Sequence, residues 1–115
     1  MAVKLVLVVR TDLGMARGKI AAQVAHAAVA AALASRGSRD FAAWLRDGQP
    51  KVVLRVTSAE HLQEIAGQAR AAGLPVELIH DAGRTQLPPG TPTCCALGPA
   101  DASRLDAVTG ELSLL

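Results

Sequence analysis

Hydrophobic positions along this chain fall into short aliphatic runs separated by longer segments in which apolar residues recur at helical spacing. A nearly continuous aliphatic run is typical of a strand that is buried on both faces. Such runs predict strands at Val3–Val9, Lys51–Val56, Val76–Ile79 and Thr93–Leu97. The helical spacing predicts helices at Lys19–Ser35, Ser38–Asp47, 57–73 and Asp101–Val108. Strands that alternate with helices predict an α/β sheet that is covered by helices on both faces.

Two of the predicted helices have clear sequence signals. The Ala-rich helix carries one apolar stripe, and this stripe consists of Ile20, Val24, Ala27 and Ala31. Thr57 and Glu60 have the T-x-x-E spacing of a capping box, which predicts that the third helix begins there. Its buried face is predicted to contain Leu62, Ile65, Ala66 and Ala69. Gly73 is expected to end this helix.

The length and composition limit the classes of protein that fit. A chain of 115 residues without internal repeats or linkers corresponds to one small domain, residues 1–115. Its only aromatic residues are Phe41 and Trp44, which excludes a nucleic-acid module built on stacking aromatics. No apolar run reaches the roughly 18 residues that span a bilayer. The adjacent Cys94 and Cys95 make no disulfide framework and are expected to point to opposite faces of a strand. These features predict a soluble protein of a reducing compartment.

Charge is divided unevenly along the chain. Residues 1–55 contain nine Lys or Arg against three Asp, whereas residues 56–115 contain three Arg against seven acidic residues. A basic N-terminal half favours an anionic partner. A solvated surface that happens to be basic is the alternative interpretation.

The loop between the first strand and the first helix is a candidate phosphate site. Gly14 and Gly18 free its backbone, and Arg17 and Lys19 add positive charge at a helix N-terminus. A Walker A motif is excluded, because Ile20 stands where that motif needs Ser or Thr for Mg²⁺.

A polar stripe on the same helix is a second candidate. Lys19, Gln23 and His26 are spaced by four and three residues, so they lie on one side of the helix and border its apolar stripe. This position predicts the rim of a cleft. The alternative is a solvated lysine, a neutral glutamine and a histidine buried in the packing. His26 has no second His or Cys at ligand spacing, so no metal site is predicted.

The segment after the third strand is a third candidate, because open α/β sheets place ligand sites at strand ends. Asp81 can accept hydrogen bonds or protons there. The neighbouring small donors and acceptors are Thr85, Gln86, Thr91 and Thr93. The alternative is ordinary turn chemistry, with Asp81 in an Asx turn and Gly83 and Gly90 at positive φ.

Taken together, three segments resemble the type II peptidyl-tRNA hydrolases. The first is VVRTDLGMARGKIAAQVAHAAV at residues 8–29. The second is DAGRTQ at 81–86, followed by PGTPT at 89–93 and LGP at 97–99, and the third is VTGELSLL at 108–115. The resemblance implies a three-layer α/β domain with a mixed four-stranded sheet. It further implies a cytoplasmic homodimer that needs no metal or cofactor and hydrolyses the ester between peptide and tRNA, with no membrane association.

The resemblance also implies the site residues. Those expected to be catalytic are Lys19, His26, Asp81, Thr85 and Thr93. Those expected to bind the tRNA acceptor end or support the site are Arg17, Gly18, Gln23, Gly83, Arg84 and Gln86. Lys19 would stabilise the tetrahedral oxyanion, and Asp81 would orient or activate water, directly or through Thr85 or Thr93. We expect Lys19 and Asp81 on opposite walls of one pocket. An ammonium nearby would make the carboxylate a weaker base and favour the orienting role.

Two other functions fit the same residues. The first is a non-catalytic α/β module that binds tRNA or another anionic ligand. The second is a protein-interaction module with an exposed apolar patch around Phe41 and Trp44. The sequence leaves the dimer surface open between these two residues and the apolar tail at 112–115.

Overall fold

The computed structural model of this chain describes residues 2–84 and 86–115. The strands in this part of the chain are β1 (Val3–Arg10), β2 (Lys51–Val56), β3 (Val76–His80) and β4 (Pro92–Asp101). The helices are α1 (Arg17–Ser35), α2 (Arg39–Arg46), α3 (Ala59–Ala71) and α4 (Ala102–Thr109). Every predicted strand and helix is present. No helix among these residues is long and apolar enough to cross a membrane.

The four strands form one mixed sheet in the order β2-β1-β4-β3. β1 runs parallel to β2, and β4 runs antiparallel to both β1 and β3. The core cluster on one face includes residues of α1 and α2, and the cluster on the other face includes residues of α3 and α4. The predicted three-layer α/β architecture is confirmed.

The two central strands are buried on both faces, as their continuous aliphatic sequences predict. Leu5 and Leu7 of β1 pack in the cluster with α1 and α2, whereas Val6 packs in the cluster with α3 and α4. Successive side chains of a strand point to opposite faces of the sheet, and β4 follows the same rule. Cys94 lies in the α1 and α2 cluster and Cys95 in the α3 and α4 cluster, which confirms the predicted arrangement of the two thiols.

Helix α1 packs on the sheet through small side chains. Ala27 and Ala31 are fully covered, while Ile20 and Val24 at the same stripe are half-buried. Alanines bring the helix axis close to the strands because they add little volume. The helix begins at Arg17, two residues before the predicted start, since Ala16 already has the extended backbone of a cap residue.

The predicted capping box at the start of α3 is wrong by one residue. Ser58 is the cap, with an extended backbone, and its Oγ accepts the His61 backbone N–H at 3.0 Å. Thr57 precedes the cap, so Glu60 falls one position too early in the helix to complete the box. β4 also extends past its predicted end at Leu97 and continues to Asp101.

The C-terminal residues follow the outer edge of β2. Leu114 forms an antiparallel bridge with Leu54. The Arg55 backbone N–H donates to the Ser113 carbonyl at 3.0 Å, and the Leu115 N–H donates to the Val53 carbonyl at 3.0 Å. This short tail therefore covers part of the edge that β2 would otherwise expose.

Candidate active site

The candidate site lies at one edge of the sheet, where three strand ends meet. Because β4 is antiparallel to β1 and β3, the C-terminal ends of β1 and β3 lie beside the N-terminal end of β4. Helix α1 begins shortly after β1, and the 81–91 segment connects β3 to β4. The fold therefore brings the first turn of α1 next to the residue that follows β3.

Lys19 and Asp81 form a direct ion pair at this place. The Lys19 Nζ donates to Asp81 Oδ1 at 2.5 Å, a short charge-assisted hydrogen bond. The Lys19 side chain is 24% exposed, whereas the Asp81 side chain is 1% exposed. The two groups touch, so the expectation of opposite walls is wrong in detail. In this pair the Lys19 side chain is partly accessible to solvent, whereas the Asp81 carboxylate is buried.

The backbone around Asp81 fixes the carboxylate. Asp81 Oδ2 accepts the Gly83 backbone N–H at 2.8 Å. The Asp81 N–H donates to the Thr91 carbonyl at 2.7 Å, and the Gly90 N–H donates to the Asp81 carbonyl at 2.9 Å. Gly83 has a φ of 79°, and a Cβ placed there would lie 2.6 Å from the Pro89 Cγ. This turn thus requires glycine, and Gly83 positions Asp81 through its N–H.

Gln23 and Thr93 form a second, deeper pair. The Gln23 Nε2 donates to Thr93 Oγ1 at 2.8 Å, and both residues are buried. The Thr93 hydroxyl also lies 3.4 Å from the Ile79 carbonyl, to which it donates. The Cys94 thiol donates to the Gln23 carbonyl at 3.4 Å. These bonds join α1 to β3 and β4 beneath the ion pair, where the Thr93 hydroxyl has no exposure to solvent.

The other predicted site residues lie on the surface around the ion pair or further along α1. His26 is exposed, so the alternative of a histidine buried in the packing is wrong. The exposed residues at the start of α1 and in the loop after β3 are Arg17, Gly18, Arg84 and Gln86. Thr85, predicted to be catalytic, lies outside the described residues.

A cleft of about 300 Å³ adjoins the ion pair. Its described lining consists of Leu13, Gly14, Met15, Ala16, Lys19, Gln86 and Leu87. Lys19 therefore belongs both to the ion pair and to the cleft wall. The loop before α1 forms one side of the cleft, and the loop after β3 forms the other.

A further polar pair at this edge was not found by sequence reasoning. The Arg10 guanidinium donates to both carboxylate oxygens of Asp12, at 3.0 and 2.7 Å, and to the Pro92 carbonyl at 2.9 Å. The bond to Asp12 raises the pKa of Arg10, and the bond to Arg10 lowers the pKa of Asp12. Arg10 thereby ties the end of β1 to the start of β4. The sequence signal for this pair is an Arg-x-Asp at the end of a buried strand.

The two adjacent cysteines of β4 are free, buried thiols, one on each face of the sheet. Burial raises the pKa of Cys94 to about 11 and that of Cys95 to about 12. The thiolate is the nucleophilic form, so neither cysteine is suited to covalent chemistry at neutral pH. Among the described residues, no three His, Cys, Asp or Glu side chains are grouped to hold a metal ion.

Comparisons with a family model and with individual known proteins point to the same family. The model of the family described as Peptidyl-tRNA hydrolase PTH2 matches residues 3–115. The protein named Peptidyl-tRNA hydrolase from Metallosphaera sedula is 53% identical, over 97% of this chain and 99% of its own length. Proteins of the same name from Halobacterium salinarum and Methanocaldococcus jannaschii are 51% and 47% identical. Those alignments cover 96% and 97% of this chain, and 98% and 99% of the relatives.

Proposed function

This chain belongs to the peptidyl-tRNA hydrolase PTH2 family and hydrolyses peptidyl-tRNA, and we propose that its Lys19–Asp81 ion pair carries the reaction. The supporting observation is the 2.5 Å contact between an ammonium that is partly exposed and a carboxylate that is buried, beside a cleft. The alternative of a non-catalytic binding module is not favoured, because the family and the similar proteins are hydrolases.

Lys19 has the role of stabilising the oxyanion. When water attacks the ester carbonyl, negative charge develops on the carbonyl oxygen, and a fixed cation at that point lowers the barrier. The bond to Asp81 holds the ammonium in place, so it does not have to reorganise during the reaction. Removal of one such group from an active site lowers kcat by about 10²–10³ in general.

Asp81 has an orienting role. Both of its oxygens accept hydrogen bonds, one from Lys19 and one from Gly83. An adjacent ammonium makes a carboxylate a weaker base, which disfavours general-base catalysis by Asp81. The carboxylate, whose side chain is 1% exposed, holds the Lys19 ammonium in place, and Lys19 is the group that faces the ester and the attacking water.

Gln23 and Thr93 act as positioning residues. Their hydrogen bond fixes the first turns of α1 against β4, and the helix in turn carries Lys19. Thr93 was expected to contact substrate or water. Its complete burial supports this indirect role. Thr85 stays a predicted catalytic residue, through which Asp81 would orient or activate water.

The tRNA acceptor end binds at the start of α1 and on the loop after β3. No side chain caps α1 at Ala16, and Arg17 and Gly18 are exposed next to the N–H groups of the first turn. Helix N-termini of this kind favour phosphate groups. Arg84 adds positive charge from the facing loop, and His26 extends the surface along α1 toward the ribose.

We also propose that residues 1–115 form one hydrolase domain that works without metal as a cytoplasmic homodimer. Trp44 is buried, so it does not belong to the exposed patch that was expected around it. The exposed large apolar side chains on α1 and α2 are instead Val29, Leu33 and Leu45. Exposed apolar side chains on these two neighbouring helices support dimerisation through α1 and α2. Leu45→Glu should give a monomer in sedimentation analysis, while the dimer persisting would exclude this face.

The activity assay uses N-acetyl-aminoacyl-tRNA and measures the release of free tRNA. Lys19→Met and Asp81→Asn should each lower turnover by about 10²-fold or more. The matched control is Lys4→Met, which breaks an ion pair that is not part of the cleft. In that pair the Lys4 Nζ lies 2.7 Å from Asp106 Oδ1, and the variant should retain full turnover. Near-full turnover in Lys19→Met or Asp81→Asn would remove the role assigned to that residue.

The binding assay tests the phosphate site separately. Affinity for tRNA should fall as salt rises, because each neutralised phosphate releases counterions. Arg17→Ala should reduce the slope of log affinity against log salt by about one. An unchanged slope would show that Arg17 contacts no phosphate.

A further inference from the structure

The cleft beside Lys19 is mainly apolar, although it adjoins a charged pair. Leu13, Met15 and Leu87 line it with half-buried aliphatic and thioether groups. Lys19 is the one ionised side chain of its described lining. The volume of about 300 Å³ lies at the small end of the range for ligand pockets, roughly 300–1,000 Å³. These properties fit a small, mainly apolar group better than a phosphate or a sugar.

The chemistry of the substrate restricts what can occupy this cleft. This step rests on the proposed function, in which Lys19 contacts the ester carbonyl. The ester oxygen is attached to C3′ of the terminal ribose, and the base is attached to C1′ of the same ring, with one ring carbon between them. A base on that ribose therefore lies within reach of a cleft that shares Lys19 with the ester site.

Two parts of the substrate could fill the cleft, namely the terminal base or the side chain of the last peptide residue. The side chain differs from one peptidyl-tRNA to the next, whereas the terminal base of tRNA is always adenine. An exposed amide in the lining is hydrated when no ligand pairs with it. A base edge that is the same in every substrate can use that amide each time, whereas peptide side chains of varying size and polarity cannot. Gln86 provides such an amide in this lining.

We propose that this cleft holds the adenine of the 3′-terminal adenosine and that Gln86 recognises its edge. A glutamine amide donates and accepts, so it pairs with the amino group and a ring nitrogen of adenine. Leu13 and Leu87 contact the purine faces, and the Met15 sulfur makes the favourable contact of a thioether with an aromatic ring. Gly14 of the lining has a φ of 67°, a conformation that glycine adopts without strain.

The test compares N-acetyl-aminoacyl-tRNA ending in adenosine with the same tRNA ending in purine riboside, which lacks the 6-amino group. Wild-type kcat/KM should fall about 10-fold on the purine-ended substrate. Gln86→Ala should lose about 10-fold on the adenosine-ended substrate and should no longer distinguish the two. Gln68→Ala, an exposed glutamine on α3, is the matched control and should behave as wild type.

A second series varies the aminoacyl group between alanine, leucine and phenylalanine on adenosine-ended tRNA. The proposal predicts nearly equal kcat/KM values, with the same loss in Gln86→Ala throughout. Equal rates on the two terminal bases, together with rates that follow the size of the aminoacyl side chain, would overturn the adenine pocket and leave the Lys19–Asp81 assignment intact. Full turnover by Lys19→Met would instead overturn the ester-site assignment, and the adenine pocket with it.

Discussion

Breaking the Lys19–Asp81 pair from its two sides should have unequal effects on stability. Asp81 is 1% exposed and Lys19 is 24% exposed, so the two partners differ in how readily water replaces the lost contact. Lys19→Met removes the ammonium from a carboxylate that water reaches poorly, and we expect a loss of about 2 kcal/mol in the free energy of unfolding. Asp81→Asn leaves a lysine that water can solvate and an amide oxygen that can still accept the Gly83 N–H. The new amide N–H group faces the Lys19 ammonium, but that ammonium can turn toward solvent, so the cost should be smaller, about 1 kcal/mol.

Urea denaturation followed by circular dichroism measures this difference. The double variant Lys19→Met/Asp81→Asn should unfold close to Asp81→Asn alone, because the buried charge is then absent. Lys4→Met is the control, since Lys4 and Asp106 lie 2.7 Å apart but are 26% and 57% exposed. That change should cost no more than about 1 kcal/mol. If Lys19→Met and Lys4→Met unfold at the same urea concentration, the argument from burial is refuted.

Three further predictions follow from the turn, the thiols and the helix cap. Gly83→Ala should lower turnover and cost about 1–2 kcal/mol in stability by differential scanning calorimetry, because alanine is strained at a φ of 79° and its Cβ meets a proline ring. Since burial raises the pKa of Cys94 to about 11 and of Cys95 to about 12, native protein at pH 8 should not react with Ellman's reagent, and urea-unfolded protein should release two equivalents. Ser58→Ala should cost about 1 kcal/mol in urea denaturation, whereas Thr57→Ala should cost clearly less; equal costs would contradict the observed cap.

The secondary structure could be predicted because its signals are local and strong. The aliphatic run of β1 is buried on both faces, and the alanines of α1 allow it to pack closely on the sheet. The α3 cap could not be predicted, since Thr57 and Ser58 are both competent caps and the choice depends on which residue has the extended backbone. The length of β4 could not be predicted either, because Gly98 and Pro99 are residues that usually end a strand. In the structure the pairing of β4 with β1 continues to Asp101.

The site could be predicted only in outline. Ligand sites of open α/β sheets lie at strand ends. This rule, together with the family resemblance, was sufficient to predict that Lys19 and Asp81 lie in one site. Whether a polar side chain reaches substrate or acts from beneath depends on its depth in the packed structure. The sequence spacing does not contain that information, so it predicted Gln23 at the rim of a cleft, whereas Gln23 is buried in the structure.

The tail along β2 affects how this molecule behaves at high concentration. An uncovered edge strand is a template onto which a strand of another molecule can add, and such addition leads to aggregation. Here Ser113 and Leu115 already occupy hydrogen-bonding positions next to Arg55 and Val53. A change that releases the last four residues would thus expose the edge of β2 to pairing with other molecules. The protein would then aggregate although its active site was still intact.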